Sequence, residues 1–203
     1  MPRSPDSVPR SVPESKARLV GELRAGRVYR REDLAPFSKA VDRHLRELVA
    51  SGDLTKLAQG LYYVPRNSAF GTLPPEDDEL VARFLRDKDF LLFSASAYNS
   101  ARLGTTQLYN RTLVYNHKRH GLFKLGSRQF DFRMKPRFPK KLTVEFVFID
   151  ALNNVGELAE DESEVLDRAK GRVALFDRQR LQRAAESYGT VATKKRLAGW
   201  LNA

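Results

Sequence analysis

Three cationic residues at helical spacing are the clearest candidates for chemistry in this chain, and that chemistry is nucleic-acid recognition. Lys39, Arg43 and Arg46 lie within the segment SKAVDRHLRELVASG, where a rotation of about 100° per residue places them on one face of a helix. Lysine and arginine side chains donate hydrogen bonds to guanine edges and to phosphates. A solvated basic helix face is the alternative, and it is the commoner one for an isolated helix.

The rest of this segment predicts the helix that positions the three cations. Ser38 is expected to cap its N-terminus, and Gly52 to end it in a left-handed conformation. The apolar residues Val41, Leu45, Leu48 and Val49 form a stripe opposite the cations. We therefore expect the helix to bury one face and to present the cations on the other.

A predicted β-hairpin follows this helix and favours the DNA interpretation. Residues 54–57 and 61–64 read as strands joined by Ala58, Gln59 and Gly60, with Gly60 supplying the positive φ of a tight turn. Tyr62 and Tyr63 point to opposite faces, so one of them is expected in the core. A recognition helix followed by such a wing predicts six DNA-binding residues, namely Ser38, Lys39, Arg43, Arg46, Lys56 and Gln59.

Upstream residues complete the order of a winged helix-turn-helix. A capping-box spacing at 11–14 opens a helix to about residue 25, a short strand is expected at 27–29 and a short helix at 32–35. The predicted organisation is a flexible arm over 1–13, a winged helix-turn-helix DNA-binding domain over 14–66, a linker over 67–75 and a C-terminal domain over 76–203.

The C-terminal part predicts a mixed α/β domain, so the fold class is α+β. We expect helices at 76–86 and 94–103, a buried strand at 90–93, antiparallel strands between 112 and 148, and helices at 149–157, 162–169, 178–188 and 191–201.

The charge of the chain indicates a polyanionic partner. The net charge is +11, and the stretch from Arg111 to Lys141 holds ten basic residues and one acid. We hypothesise that Arg128, Arg133, Lys135 and Arg137 add contacts to the DNA phosphates. A solvated sheet face explains that stretch equally well.

Composition excludes several classes of protein. The absence of cysteine removes disulfides and thiolate zinc sites. No apolar run reaches the length of a membrane span, so we expect a cytoplasmic protein with no membrane partner.

The residues also argue against catalysis. His117 and His120 lack acidic neighbours for a metal site, and Asp131, Glu145 and Asp150 lack the spacing to lysine that nucleases use. No catalytic residue, metal or cofactor is predicted. The alternative is a nuclease-like enzyme of nucleic-acid processing that uses the winged helix for targeting.

The ordered set LRELVASGDLTKLAQGLYYVPR, GTLPP, SASAYNSARLG and TTQ resembles the AbiEi-type antitoxins of type IV toxin–antitoxin systems. The resemblance implies a transcriptional repressor that binds inverted repeats of its own promoter. It also implies that the C-terminal domain counteracts a toxin of nucleotidyltransferase type encoded beside it, without a stable complex. It places the exposed recognition-helix positions at Lys39, Arg43 and Arg46, and the wing at Lys56 and Gln59.

Overall fold

The computed structural model describes residues 12–94, 96–100, 112–158 and 160–202, and the fold is α+β. Two compact units are distinguished by their internal contacts. Unit 1 runs to Lys88 and also includes Lys124–Arg128, and unit 2 comprises Asp89–Phe123 and the residues from Gln129 onwards. Within the described ranges, no helix combines the length and the apolar character that a membrane crossing requires.

Unit 1 combines helices with short strands in the first part of the chain. Its elements are α1 (Val12–Glu22), β1 (Val28–Arg30), α2 (Arg31–Leu34), α3 (Val41–Ala50), β2 (Thr55–Ala58), β3 (Leu61–Tyr63), β4 (Arg66–Ser68), β5 (Gly71–Leu73) and α4 (Asp77–Leu85). A 3-10 turn at Ala35–Phe37 joins α2 to α3.

A three-stranded antiparallel sheet of order β1-β3-β2 accompanies the first three helices. Their common core consists of Leu19, Leu34, Val41, Leu45, Leu48 and Leu54, each at most 5% exposed. Burial of these six apolar side chains drives the packing of α1, α2 and α3, since the removal of apolar area from water is the main favourable term in folding. Tyr63 is the buried tyrosine of β3 and Tyr62 the half-buried one.

The segment predicted as a linker, 67–75, is largely a second hairpin, so the linker prediction is wrong there. Strands β4 and β5 pair in an antiparallel register from Arg66↔Leu73 to Ser68↔Gly71. The Tyr63 hydroxyl donates to the Leu73 carbonyl at 2.7 Å, which ties this hairpin to β3.

Helix α4 groups with unit 1, although we assigned it to the C-terminal domain from the sequence. The guanidinium of Arg30 donates to the carbonyl of Arg83 at 2.7 Å and to that of Phe84 at 3.2 Å, and so satisfies the C-terminal end of α4. Near the other end, Glu79 pairs with Arg27 at 2.9 Å. These contacts hold α4 against β1.

Unit 2 is built from a four-stranded sheet and a set of C-terminal helices. Its elements are β6 (Phe90–Ser94), α5 (Ala97–Ser100), β7 (Thr112–Asn116), β8 (Gly121–Leu125), β9 (Arg128–Met134), α6 (Val144–Asn153), α7 (Glu162–Lys170), α8 (Arg178–Tyr188) and α9 (Val191–Leu201), with 3-10 turns at Val155–Glu157 and Val173–Leu175. The turn between β8 and β9, with the strand residues flanking it, is counted in unit 1.

The sheet has the order β6-β7-β9-β8 and is mixed. Strands β6 and β7 are antiparallel, but β7 and β9 run parallel, so the prediction of an antiparallel sheet is only partly right. The predicted helices 162–169, 178–188 and 191–201 correspond to α7, α8 and α9. Of the helix predicted at 94–103, only Ala97–Ser100 is described as helix, namely α5, whereas Ser94 ends β6. Residues 95 and 101–103 lie outside the described residues.

The strand expected within 142–148 is instead the start of α6. Thr143 caps this helix by accepting the Phe146 amide at 3.2 Å. All residues from Phe146 to Leu152 are buried. The apolar residues 146–149 give no periodicity from which to distinguish a buried helix from a buried strand.

Gly126 offers a test of how the β8–β9 turn packs in unit 1. Its amide donates to the Leu57 carbonyl at 2.8 Å, its φ is +64°, and a Cβ added there would lie 2.9 Å from Leu57 Cδ2. We expect Gly126→Ala to lower the free energy of unfolding by about 2 kcal/mol, measured by urea denaturation, from left-handed strain plus the clash.

Gly52→Ala is the matched control for this substitution. Gly52 has φ +83° but nothing within 4 Å of an added Cβ, so it reports the strain alone. Equal losses in the two variants would contradict the close packing of Gly126 on Leu57.

Candidate nucleic-acid interface

The exposed surface of α3 carries the cations predicted from the sequence. Arg43 and Arg46 are exposed on the helix, and Lys39 is exposed just before it. On the opposite side Leu45 is fully buried and Leu48 is 3% exposed. Helix α3 therefore separates an apolar face from a cationic one.

These cations are held only weakly by their own helix. Arg43 lies 3.7 Å from Glu47 one turn away, and the Arg46 Nε donates to the Asp42 carbonyl at 3.3 Å. Exposed pairs of this kind contribute little to stability. The guanidinium groups are consequently available to an external phosphate or base.

The two acids of α3 are engaged by cations from other helices. Arg31 of α2 makes a two-pronged contact with Asp42, with both distances 2.6 Å, and this hydrogen bonding lowers the pKa of the Asp42 carboxyl. Lys16 of α1 pairs with Glu47 at 2.8 Å. The negative charges of Asp42 and Glu47 are thus compensated by Arg31 and Lys16, which reduces the repulsion of an anionic ligand by these acids.

The β2–β3 hairpin places two further predicted residues on the surface of unit 1. Lys56 and Gln59 are exposed, and Gly60 adopts φ +67° in the turn. The Gly60 carbonyl accepts the Arg31 amide at 2.9 Å. The hairpin tip is therefore fixed to the start of α2, whose Arg31 side chain also holds α3.

Ser38 does not belong to this exposed surface, contrary to the sequence prediction. It is 4% exposed, its hydroxyl lies 2.8 Å from His44 Nδ1, and it accepts the Ala40 amide at 3.1 Å. The helix begins at Val41, and no side chain caps it. The N-cap predicted for Ser38 is therefore wrong, because its hydroxyl is used inside the unit, and its DNA contact stays a prediction that this burial disfavours.

Ser38→Ala is expected to destabilise the protein without changing the charge of the exposed surface of α3. The substitution leaves the fully buried His44 ring without its Nδ1 partner, and His44 Nε2 already lacks a hydrogen-bond partner among the described residues. A buried polar group left unsatisfied costs about 1–3 kcal/mol, to be measured by chemical denaturation. The salt dependence of DNA binding should stay unchanged, and a lower slope would restore Ser38 as a phosphate contact.

The two arginines predicted as further phosphate contacts on β9 have partners of their own. Arg128 pairs with Asp77 within unit 1. Arg133 pairs with Asp131 at 3.0 Å and with Glu157 at 2.8 Å. A phosphate would have to compete with these carboxylates. The contribution of Arg128 and Arg133 to DNA binding therefore stays a prediction.

Lys135 and Arg137, the other two predicted phosphate contacts, lie beyond the end of β9 in unit 2. The Lys135 ammonium is 5.2 Å from the ring centroid of Tyr115, and Arg137 is exposed. Both line one cavity. Arg128 and Arg133, by contrast, pair with carboxylates.

Comparison with known proteins places the chain in a family. Residues 21–179 match the sequence profile of DUF6088, which is described as a family of unknown function. The chain belongs to the DUF6088 family. No curated protein matches it.

One solved structure similar to this DUF6088 member is the crystal structure of the RV2827C protein from Mycobacterium tuberculosis. That protein is 18% identical, the match covers 96% of this chain and 78% of the other, and the TM-score is 0.54. At this identity the likeness concerns the fold alone.

The acids considered for a nuclease in this DUF6088 chain lie on different elements. Asp131 is on β9 and pairs with Arg133, whereas Glu145 and Asp150 are on α6. Over the described ranges, no group of three or more histidine and acidic side chains could hold a metal ion. His117 stacks on Phe138 with ring centroids 4.7 Å apart.

Two features of this family member could not be read from the sequence. The Arg31–Asp42 pair joins residues whose spacing fits neither a helix nor a hairpin. In unit 2, Asp150 accepts the hydroxyl of Tyr98 at 2.8 Å and that of Tyr115 at 2.7 Å. No local pattern signals such long-range pairs.

Proposed function

We propose that unit 1 is a winged helix-turn-helix domain with which this chain binds double-stranded operator DNA and represses transcription. The observation that carries the proposal is the exposed cationic surface of α3, with the exposed hairpin tip of Lys56 and Gln59 in the same unit. A helix of this kind fits the major groove, and the hairpin reaches the adjacent backbone.

The arginine and lysine side chains of this surface are expected to contact different parts of the DNA. Arg43 and Arg46 can each donate two hydrogen bonds to a guanine edge, and such a pair discriminates against a wrong base by about 1–3 kcal/mol. Lys39 and Lys56 act as point charges toward phosphates, where each contact adds about one unit to the salt slope. Specificity then rests on α3, and much of the affinity on the phosphates.

We further propose that the operator lies in the promoter of its own operon and that the protein acts there as an antitoxin. The resemblance to AbiEi-type antitoxins, carried by residues 45–66 and the segments that follow, supports this. Unit 2 would then counteract a toxin of nucleotidyltransferase type.

The DNA proposal is tested with the full-length protein and the DNA upstream of its own gene. Fluorescence anisotropy should give a Kd at least about 1000-fold lower for a duplex carrying the inverted repeats than for a scrambled duplex of equal length. Equal affinities at physiological salt would leave only non-specific attraction to a basic protein and would contradict the repressor assignment.

The antitoxin proposal has a separate test. The proposal expects a nucleotidyltransferase gene beside this one. Its expression should arrest growth, and co-expression of this chain should restore it. Arg43→Ala/Arg46→Ala should still restore growth when expressed from an unrelated promoter, because unit 2 remains intact. Failure of the wild-type chain to restore growth would contradict the antitoxin role and leave the DNA proposal standing.

A further inference from the structure

A cavity in unit 2 combines features that DNA-backbone binding does not require. It has a volume of about 490 Å³, within the range of small-molecule sites. Tyr115 and Phe146 supply aromatic surface, and both are at most 2% exposed. Asp150, also 2% exposed, lies among the residues that line it.

Three cations that form no ion pair with a described residue line the same cavity. Lys135, Arg137 and Lys194 all contribute to its wall, and within the described parts of the chain none of them forms an ion pair. Nearby cations do form such pairs, for example Lys140 with Asp89 at 2.6 Å and Arg196 with Glu162 at 3.3 Å. The cavity therefore combines three cations with two carboxyl groups, those of Asp150 and Glu186, without an ion pair between them.

Among the described residues, hydrogen-bond donors contact only one oxygen of the Asp150 carboxylate. Its Oδ2 accepts the hydroxyls of Tyr98 and Tyr115, whereas no described residue donates to Oδ1. A carboxylate oxygen in an aromatic surrounding is suited to accept hydrogen bonds from a heterocyclic N–H or an amino group. An inorganic anion would be repelled by it.

The cavity thus offers three separate kinds of contact to one ligand. The aromatic side chains can pack on a flat heterocycle, Asp150 can accept its N–H groups, and the exposed Glu186 can accept sugar hydroxyls. The three cations can hold a phosphate group. We propose that this cavity of unit 2 binds a nucleoside phosphate, with the heterocycle beside Asp150 and the phosphate beside Lys135, Arg137 and Lys194.

Calorimetric titration of the full-length protein tests the proposal. The probes are ATP, GTP, CTP, UTP and their monophosphates, with inorganic phosphate and pyrophosphate as comparison ligands. We expect saturable one-to-one binding of at least one nucleotide with a Kd of about 10–100 μM. Binding of phosphate or pyrophosphate as tightly as the best nucleotide, or no saturation by any nucleoside phosphate at about 5 mM, would overturn the proposal.

The phosphate end is tested by a pair of matched double variants. Arg137→Ala/Lys194→Ala should weaken nucleotide binding by at least about tenfold, because two charge-assisted contacts are lost. Lys141→Ala/Lys195→Ala removes the same charge from exposed positions that do not line the cavity and should bind like the wild type. Equal behaviour of the two double variants would overturn the assignment of the cavity.

The heterocycle end is tested by Asp150→Asn, which replaces one acceptor oxygen by a donor while keeping the side-chain volume. We expect a changed order of preference among the four bases, with little change in affinity for pyrophosphate. An unchanged order would overturn the placement of the base beside Asp150.

Single-stranded oligonucleotides distinguish a free nucleotide from a nucleotide within a strand. Binding of mononucleotides that depends on Arg137 and Lys194 identifies the free form, and binding of oligonucleotides alone with the same dependence identifies a strand. The first result supports the proposal, whereas binding of oligonucleotides alone would overturn it in favour of a strand-binding site. Since these residues lie in unit 2, the result does not depend on DNA binding by α3.

Discussion

Arg43→Ala/Arg46→Ala is expected to weaken binding to operator DNA by about 100-fold or more, while the affinity for scrambled DNA falls far less. Each arginine is exposed on α3 and is engaged only by neighbours one turn away. Loss of two direct base contacts, each worth about 1–3 kcal/mol, accounts for this reduction. Anisotropy titrations at several salt concentrations separate it from loss of charge.

A control of equal charge is available in unit 2. Lys170→Ala/Lys195→Ala also removes two exposed cations, and it should change operator affinity little. The melting temperatures of both double variants should stay close to that of the wild type, because the four side chains are exposed. Operator binding by Arg43→Ala/Arg46→Ala at wild-type affinity would remove α3 as the recognition helix.

Local patterns sufficed to predict α3 and the β2–β3 hairpin of unit 1. The stripe Val41, Leu45 and Leu48 has the period of a helix with one buried face, and these residues are buried as expected. The turn at Gly60 has the positive φ expected of a tight hairpin. Each of these signals lies within one element, which is why the sequence alone reveals it.

The extent of unit 1 could not be predicted, because it depends on contacts between distant residues. The local sequence does not distinguish Arg30 from the other cations of this basic chain. Its guanidinium nevertheless satisfies the carbonyl groups at the end of α4. The glycine and prolines at 71–75 favour a linker, but Gly71–Leu73 forms β5 and pairs with β4. A turn signal marks where the chain reverses, and it does not show whether a domain ends there.

The candidate site shows the same division between local and distant information. Exposure of Arg43 and Arg46 follows from helical geometry. In contrast, Lys39 lies before α3, and Ser38 is buried with a hydrogen bond to His44. Asp150 falls in the helix predicted at 149–157, but its hydrogen-bond partners could not be predicted. It lies on α6 and is bound by tyrosines 52 and 35 residues away in sequence.

Asp150→Ala is expected to lower the free energy of unfolding of unit 2 by about 3–5 kcal/mol. The substitution removes the acceptor of two buried hydroxyls, those of Tyr98 and Tyr115, and each buried donor left without a partner costs about 1–3 kcal/mol. Chemical denaturation followed by near-ultraviolet circular dichroism measures the loss.

A triple variant separates this effect from the simple loss of side-chain volume. Asp150→Ala/Tyr98→Phe/Tyr115→Phe also removes both hydroxyls, so no donor is left stranded, and we expect it to regain a large part of the lost stability. A triple variant as unstable as Asp150→Ala would show that the hydrogen bonds are not the cause.

The pH dependence of Asp150→Asn tests the charge of the same carboxyl. Burial raises the pKa of Asp150, and the hydrogen bonds from Tyr115 and Tyr98 oppose this only in part. The native state then binds the proton more tightly than the unfolded state, whose carboxyl titrates near pH 4. As the pH falls from above the native pKa to about 4, the stability of the wild type should therefore rise relative to Asp150→Asn. A relative fall over that window would mean that the tyrosine hydroxyls and nearby cations outweigh burial and hold Asp150 ionised.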